Sequence, residues 1–102
     1  MAEVIINDKH LRSLYETGRS RKHDLPPQVV TKYIMRIQQF EAAEHVSDLL
    51  ANGGMNFEQY EDHHSVRLNK QFRLEVGVEW LDEEQTRPGT IELLRVTAHY
   101  GD

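Results

Sequence analysis

The hydrophobic period changes once along this chain, and that change limits what it can fold into. Ahead of Asn52-Gly53-Gly54 the apolar residues recur at helical spacing, and beyond it they alternate. Tyr33, Ile34, Ile37 and Phe40 follow Val30 at 3, 4, 7 and 10 residues, which is one stripe of an α-helix. Phe72, Leu74, Val76, Val78 and Trp80 share one parity, while Arg73, Glu75, Gly77 and Glu79 take the other. A helical half followed by a strand half predicts an α+β domain. N-terminal helices pack on one face of an antiparallel sheet formed mainly by the C-terminal half.

Local signals place the elements. Glu3-Val4-Ile5-Ile6 reads as a short strand, and Asn7-Asp8 as the cap of a helix that carries Leu11, Leu14 and Tyr15 and stops at Gly18. A basic connector, residues 19–23, leads to Pro26-Pro27, which opens the second helix because proline lacks only an N–H that the first turn leaves unused. A short helical turn is expected through Val46, Leu49 and Leu50. Strands are expected at Phe57–Tyr60, Ser65–Asn69, 71–81 and from Thr90 to about Tyr100. In the last of these, Leu94, Val96 and Ala98 are assigned to the core, and Arg95, Thr97 and His99 to the open face. Short connections make these strands antiparallel neighbours. The acidic stretch Asp82-Glu83-Glu84 reads as a solvated turn, and residues 1–102 as a single domain.

Composition narrows the class. The chain is 38% hydrophobic and 28% charged, with nine Gly and Pro in total and no cysteine. Disulfides, thiolate metal sites and cysteine nucleophiles are thereby excluded, and low complexity is excluded too. No apolar run approaches the ~18 residues of a membrane span, and no secretory signal pattern opens the sequence, so a cytoplasmic protein without a membrane partner is expected. The net charge of −5 is unevenly distributed. Residues 1–40 carry seven basic and four acidic side chains, a net of +3, and residues 41–102 carry five and thirteen, a net of −8.

Strand parity gathers Arg67, Arg73, Arg95 and His99 on the face of the sheet away from the helices. Guanidinium binds phosphate through two donors, and imidazole exchanges a proton near neutral pH. These are the groups needed to cleave RNA by attack of its own 2′-hydroxyl. Glu75 and Glu79 share the face, and there the same arginines would serve equally as cross-strand salt-bridge partners. His63 and His64 are adjacent, so only one of them faces the site. The other histidines lack metal-ligand spacing, and no metal or cofactor is expected. Trp80 reads as a buried strand residue.

The stretch Ser65-Val66-Arg67-Leu68-Asn69-Lys70-Gln71-Phe72-Arg73 resembles the S-[IV]-R-[VL]-N-x-x-[WF]-R segment of HigB-like toxins in the RelE/ParE superfamily. Leu11-x-x-Leu14-Tyr15-Glu16-x-Gly18, with the basic connector and proline-started helix behind it, is similar to that family's N-terminal half, as is Phe40-Glu41-Ala42-Ala43 before Leu49-Leu50. The resemblance implies a toxin of a type II toxin–antitoxin pair. Such a toxin is a ribosome-dependent, metal-independent mRNA endoribonuclease that inhibits translation and is silenced by a helix-turn-helix, HigA-like antitoxin. It implies Arg73, His99 and Arg67 as catalytic residues. Arg95, Lys70, Tyr60, His63, His64 and Tyr100 are expected as supporting substrate contacts.

The sequence departs from the family where a lysine-bearing loop is usual. Here that stretch reads Phe57-Glu58-Gln59-Tyr60-Glu61-Asp62-His63-His64, with three acids and no lysine, and Thr97-Ala98 replaces the aspartate-tyrosine ahead of the last histidine. A catalytically impaired, antitoxin-binding module of the same fold, or a gyrase-directed toxin of the ParE type, are the alternatives.

Overall fold

The structure is a computed structural model, and it describes residues 2–22, 24–44, 48–49, 51–79 and 89–98. The chain opens with β1 (Glu3–Ile5), followed by α1 (Lys9–Thr17) and α2 (Pro27–Ala42). Four strands follow among the described residues: β2 (Glu58–Gln59), β3 (His64–Arg67), β4 (Phe72–Glu79) and β5 (Thr90–Ala98). Both ends of α1 form as their residues dictate. The Asp8 carboxylate accepts from the backbone N–H groups of His10 and Leu11 at 2.8 and 3.0 Å, and Gly18 closes the helix at φ 75°. Those bonds hold the Asp8 carboxyl below its usual range.

Helix α2 buries Val29, Tyr33, Ile37 and Phe40 against Leu11 and Leu14 of α1 and against Val66, Leu74, Val76, Ile91 and Leu93 of the sheet. The Tyr33 hydroxyl donates to the carbonyl of Leu11 at 2.7 Å and ties the two helices together. Among the described residues α1 and α2 lie on one face of a five-stranded sheet, an α+β arrangement consistent with a RelE-like fold.

The strand order is β1-β5-β4-β3-β2. β2 to β5 form the expected antiparallel meander, but β1 runs parallel to β5, so the sheet is mixed. The rule for short connections does not govern β1. Both helices intervene before the chain returns to its neighbour, which leaves a parallel pairing open.

The strict alternation expected of β5 is also interrupted. Glu75 pairs with Arg95 while Val76 pairs with Leu93, so Leu94 is the extra residue of a bulge. Ahead of the bulge Ile91 and Leu93 take the core side, and past it Val96 does; Leu94 is half-buried and Ala98 exposed. Of the three core residues expected there, Val96 alone packs on the core. The apolar doublet Leu93-Leu94 marks the parity switch. An unbroken register would turn Glu92 into the core. The bulge instead sets it opposite Gly77 on the open face.

Of the short turn expected through Val46, Leu49 and Leu50, Leu49 is helical and buried. Val46, Leu50, Trp80 and the acidic turn lie outside the described residues.

One core position is not apolar. Arg36 of α2 is 4% exposed, and its guanidinium donates to Arg67 O at 2.9 Å through Nε, to Gly54 O at 2.8 Å through Nη2 and to Gln39 Oε1 at 2.9 Å through Nη1. Burial lowers its pKa. Arg36→Met keeps the aliphatic stem but leaves two backbone carbonyls without their donor, which costs about 3 kcal/mol. Urea denaturation checks this: the midpoint falls while the slope is unchanged.

Candidate functional site

The β3–β4 hairpin sets two arginines side by side. Arg67 pairs directly with Arg73 across the strands, so both side chains leave the face opposite the helices. A tight turn makes this register possible. Asn69 Oδ1 accepts from the N–H groups of Gln71 and Phe72, each at 2.8 Å, which closes the chain on itself and leaves Lys70 exposed at the tip.

Arg73 is 7% exposed, and its Nε and Nη2 donors are engaged. Nε donates to Ser65 Oγ at 2.8 Å, and Nη2 to Asn56 O at 2.6 Å and Ser65 O at 3.3 Å. The nearest carboxylate is Glu58, with Oε2 3.8 Å from Nη2. Asn56 reaches this contact with φ 46°, in the left-handed region that asparagine tolerates better than most residues. The adjoining backbone is tied to β3 by the Arg67 N–H, which donates to Met55 O at 2.8 Å.

Together these residues enclose an open pocket of about 420 Å³ on the sheet face, with Arg73 in its lining beside Arg67, Lys70, Asn69, Asn56, Glu58 and Tyr60. Three cations face a single carboxylate. That carboxylate also accepts from the Tyr60 hydroxyl at 2.8 Å. Arg67 and Lys70 have no carboxylate partner among the described residues, and Arg67 is half-buried. The pocket therefore keeps positive charge that is not neutralised within the site.

Beyond Tyr60 the chemistry changes. Tyr60 stacks on His63 with ring centroids 5.0 Å apart and 19° between planes, and both border a second hollow with Ser65 and Glu75. His63 Nε2 lies 2.9 Å from Glu75 Oε1, and Nδ1 lies 2.6 Å from Asp62 Oδ1. A ring with carboxylates at both nitrogens can donate to both only as imidazolium. The hydrogen bond from His63 holds the Asp62 carboxyl below its usual range. Arg95 also donates to Glu75 Oε1, at 2.7 Å. Arg95 is thus on the open face, as expected, and is the cross-strand salt-bridge partner of Glu75.

His63 and His64 take opposite faces. His64 turns toward the helix side, stacks on Phe57 at 4.8 Å, and does not border the pocket. Its Nδ1 is buried with no hydrogen-bond partner among the described residues. Burial, and then the charge of His63, lower its pKa. His99 and Tyr100 lie outside the described residues. Among those residues no group of three or more His, Cys, Asp or Glu is placed to hold a metal ion, and no helix is long and apolar enough to cross a membrane.

Two contributors were not evident from the sequence. Ser65 and Asn56, with Glu58, complete the surroundings of Arg73. Ser65 was within reach, since it shares parity with Arg67 in β3. Asn56 was not, because its carbonyl reaches the site only through the fold of the 52–56 turn. No protein-family model matches the chain, and no curated protein matches it.

His64 gives the fold a pH dependence with a defined sign. Its folded pKa lies below the ordinary value near 6.5, so the unfolded chain takes up the proton first as pH falls. The contribution is complete above about pH 6.5 and is lost progressively below it, down to the folded value. In thermal melts between pH 7.5 and 5.5, the wild-type Tm falls more steeply than that of His64→Phe, which keeps the stack on Phe57 without the titration.

Proposed function

We propose that the chain is a ribosome-dependent mRNA endoribonuclease of the HigB-like kind, the toxin of a pair whose partner is a helix-turn-helix antitoxin. One observation carries the reading. The open sheet face holds a pocket with Arg67, Lys70 and Arg73 against Glu58 alone, in a chain of net charge −5. A phosphodiester is the group such a pocket suits, since guanidinium offers planar paired donors to its oxygens. The resemblance in residues 65–73 supports the same reading.

In this mechanism the 2′-oxygen of the RNA attacks the adjacent phosphorus. Its proton passes to a base, the role that the resemblance gives His99. Arg67 and Lys70 stabilise the charge that builds on the phosphoryl oxygens, and Arg73 adds its field from the pocket floor. The P–O5′ bond breaks and the 5′-oxygen takes a proton from an acid, for which His63, flanked by Asp62 and Glu75, is suited. The products are a 2′,3′-cyclic phosphate and a 5′-hydroxyl. The chemistry calls on general acid, general base and cations and on no metal. Tyr60, exposed between the two hollows, offers a ring to a base.

A second reading has its own observation. The Arg73 guanidinium is engaged by Ser65 and Asn56, and both ring nitrogens of His63 face carboxylates. A module that binds its antitoxin without cutting RNA would tolerate both.

Mapping mRNA ends in a translation mixture with purified ribosomes separates the readings. Wild type cleaves the message, and Arg67→Gln, on a half-buried side chain whose loss leaves the Arg73 contacts in place, slows cleavage by about 100-fold or more. Intact mRNA with wild type, alongside tight antitoxin binding, leaves the binding module. DNA damage with uncut mRNA points to gyrase.

A further inference from the structure

Seventeen of the 102 residues are acidic, yet three segments, 25–40, 49–57 and 63–74, contain none. These segments are distant in sequence, and the fold joins them. Arg36 of α2 donates to Gly54 O and to Arg67 O, while the Arg67 N–H donates to Met55 O. Around the end of the hairpin they enclose a third hollow of about 310 Å³, bordered by Lys32 of α2, Arg36, Gly54, Leu68 and the ridge Arg67-Asn69-Lys70. No carboxylate borders it. The same ridge is one wall of the pocket on the sheet face, so Arg67, Asn69 and Lys70 stand between two adjoining cationic hollows.

Lys32 is the new element. It is exposed, its neighbours one turn away on α2 are Gln28, Val29, Met35 and Arg36, and no carboxylate pairs with it among the described residues. The Arg36 guanidinium is buried and occupied, so it contributes its field and not a contact. A surface shaped only for solubility intersperses charges of both signs. This one collects Lys32, Arg67 and Lys70 with no acid between them. It also offers little to a peptide, since its one apolar border residue, Leu68, is itself buried.

We propose that this third hollow is a further phosphate-binding position for a single-stranded polynucleotide that crosses the β3–β4 turn, with Lys32 as its contact. The inference rests on the reading that the first pocket takes an RNA phosphodiester, and it extends the substrate to a strand with phosphates on both sides of the ridge. Recognition there is of the backbone and is indifferent to base identity.

The test is fluorescence anisotropy with labelled 2′-O-methyl oligouridylates, which bind but cannot be cut because the attacking hydroxyl is blocked. Wild type binds the octanucleotide more tightly than the dinucleotide. Lys32→Gln leaves dinucleotide binding unchanged, weakens octanucleotide binding about five-fold, and reduces the slope of log K against log salt by ~0.7, the loss of one single-strand phosphate contact. Equal octanucleotide affinity and slope in the two proteins overturns the inference, as does an octanucleotide that binds no better than the dinucleotide. Polyglutamate that binds as tightly and is equally sensitive to Lys32→Gln overturns it in favour of an acidic peptide. Because the probe cannot react, these outcomes are separate from those of mRNA cleavage. Cut mRNA with an unaffected octanucleotide leaves the nuclease reading and removes Lys32. Uncut mRNA with the Lys32 effect intact does the reverse.

Discussion

Two buried guanidiniums hold the 52–56 turn from opposite sides of the sheet, and the candidate site depends on that grip. Arg36 reaches Gly54 O from the helix layer, and Arg73 reaches Asn56 O from the open face. A guanidinium is costly to bury unless its donors are satisfied. Here the acceptors are mainly backbone carbonyls, which satisfy the donors without cancelling the charge. An Arg–carboxylate pair would stabilise the same turn and leave the region neutral. The chosen partners fix the turn and leave a positive field beneath the pocket. Fold stability and the proposed phosphate affinity therefore draw on the same two residues, and substitutions at Arg36 or Arg73 would mix the two effects. Arg67, Lys70 and Lys32 report on binding more cleanly because their side chains make no hydrogen bond or ion pair among the described residues.

The open face is divided into two electrostatic halves. On one side of Tyr60 lie Arg67, Lys70 and Arg73, and on the other lie Asp62, His63, Glu75 and Arg95. The bulge at Leu94 keeps the second half in order, because Glu75 meets Arg95 where the register shifts and Glu92 is turned outward. A cationic hollow beside an imidazole with two carboxylates is the arrangement that the proposed chemistry calls for, an anion held next to a proton donor. Tyr60 is shared, since its hydroxyl belongs to the Glu58 side and its ring to the His63 side.

Much of this was legible in the sequence, and what was not has identifiable causes. The caps of α1 follow from Asp8 and Gly18, the α2 stripe from the spacing of Tyr33, Ile37 and Phe40, and the shared face of Arg67, Arg73 and Arg95 from parity. Opposite faces for His63 and His64 follow from their adjacency in an extended chain. Arg36 was passed over because a stripe counted in apolar residues ignores a long cation whose stem is apolar and whose head finds carbonyls. The parity change in β5 was written in Leu93-Leu94, but a doublet of apolar residues does not say which one the partner strand will skip. The engagement of Arg73 lay beyond local pattern altogether. Its acceptor, Asn56 O, is seventeen residues away and is presented only once Arg36 and the Arg67 N–H have fixed the turn.

Net charge and local charge act over different distances, and a polyanion meets both. In the proposed reading the summed charge of −5 repels RNA at long range and slows encounter, while the hollows beside Arg67 would attract a phosphate at contact. At physiological ionic strength the Debye length is ~8 Å, so added salt screens the repulsion first and leaves short contacts less affected. The contacts weaken in turn through counterion competition. Salt therefore has opposing effects on association and on residence, and the total salt dependence of the wild-type chain is a mixture of the two. A change at one exposed cation alters the net charge by one unit but removes a whole contact. It is the difference between two variants, rather than either slope alone, that separates a phosphate site from a charged surface.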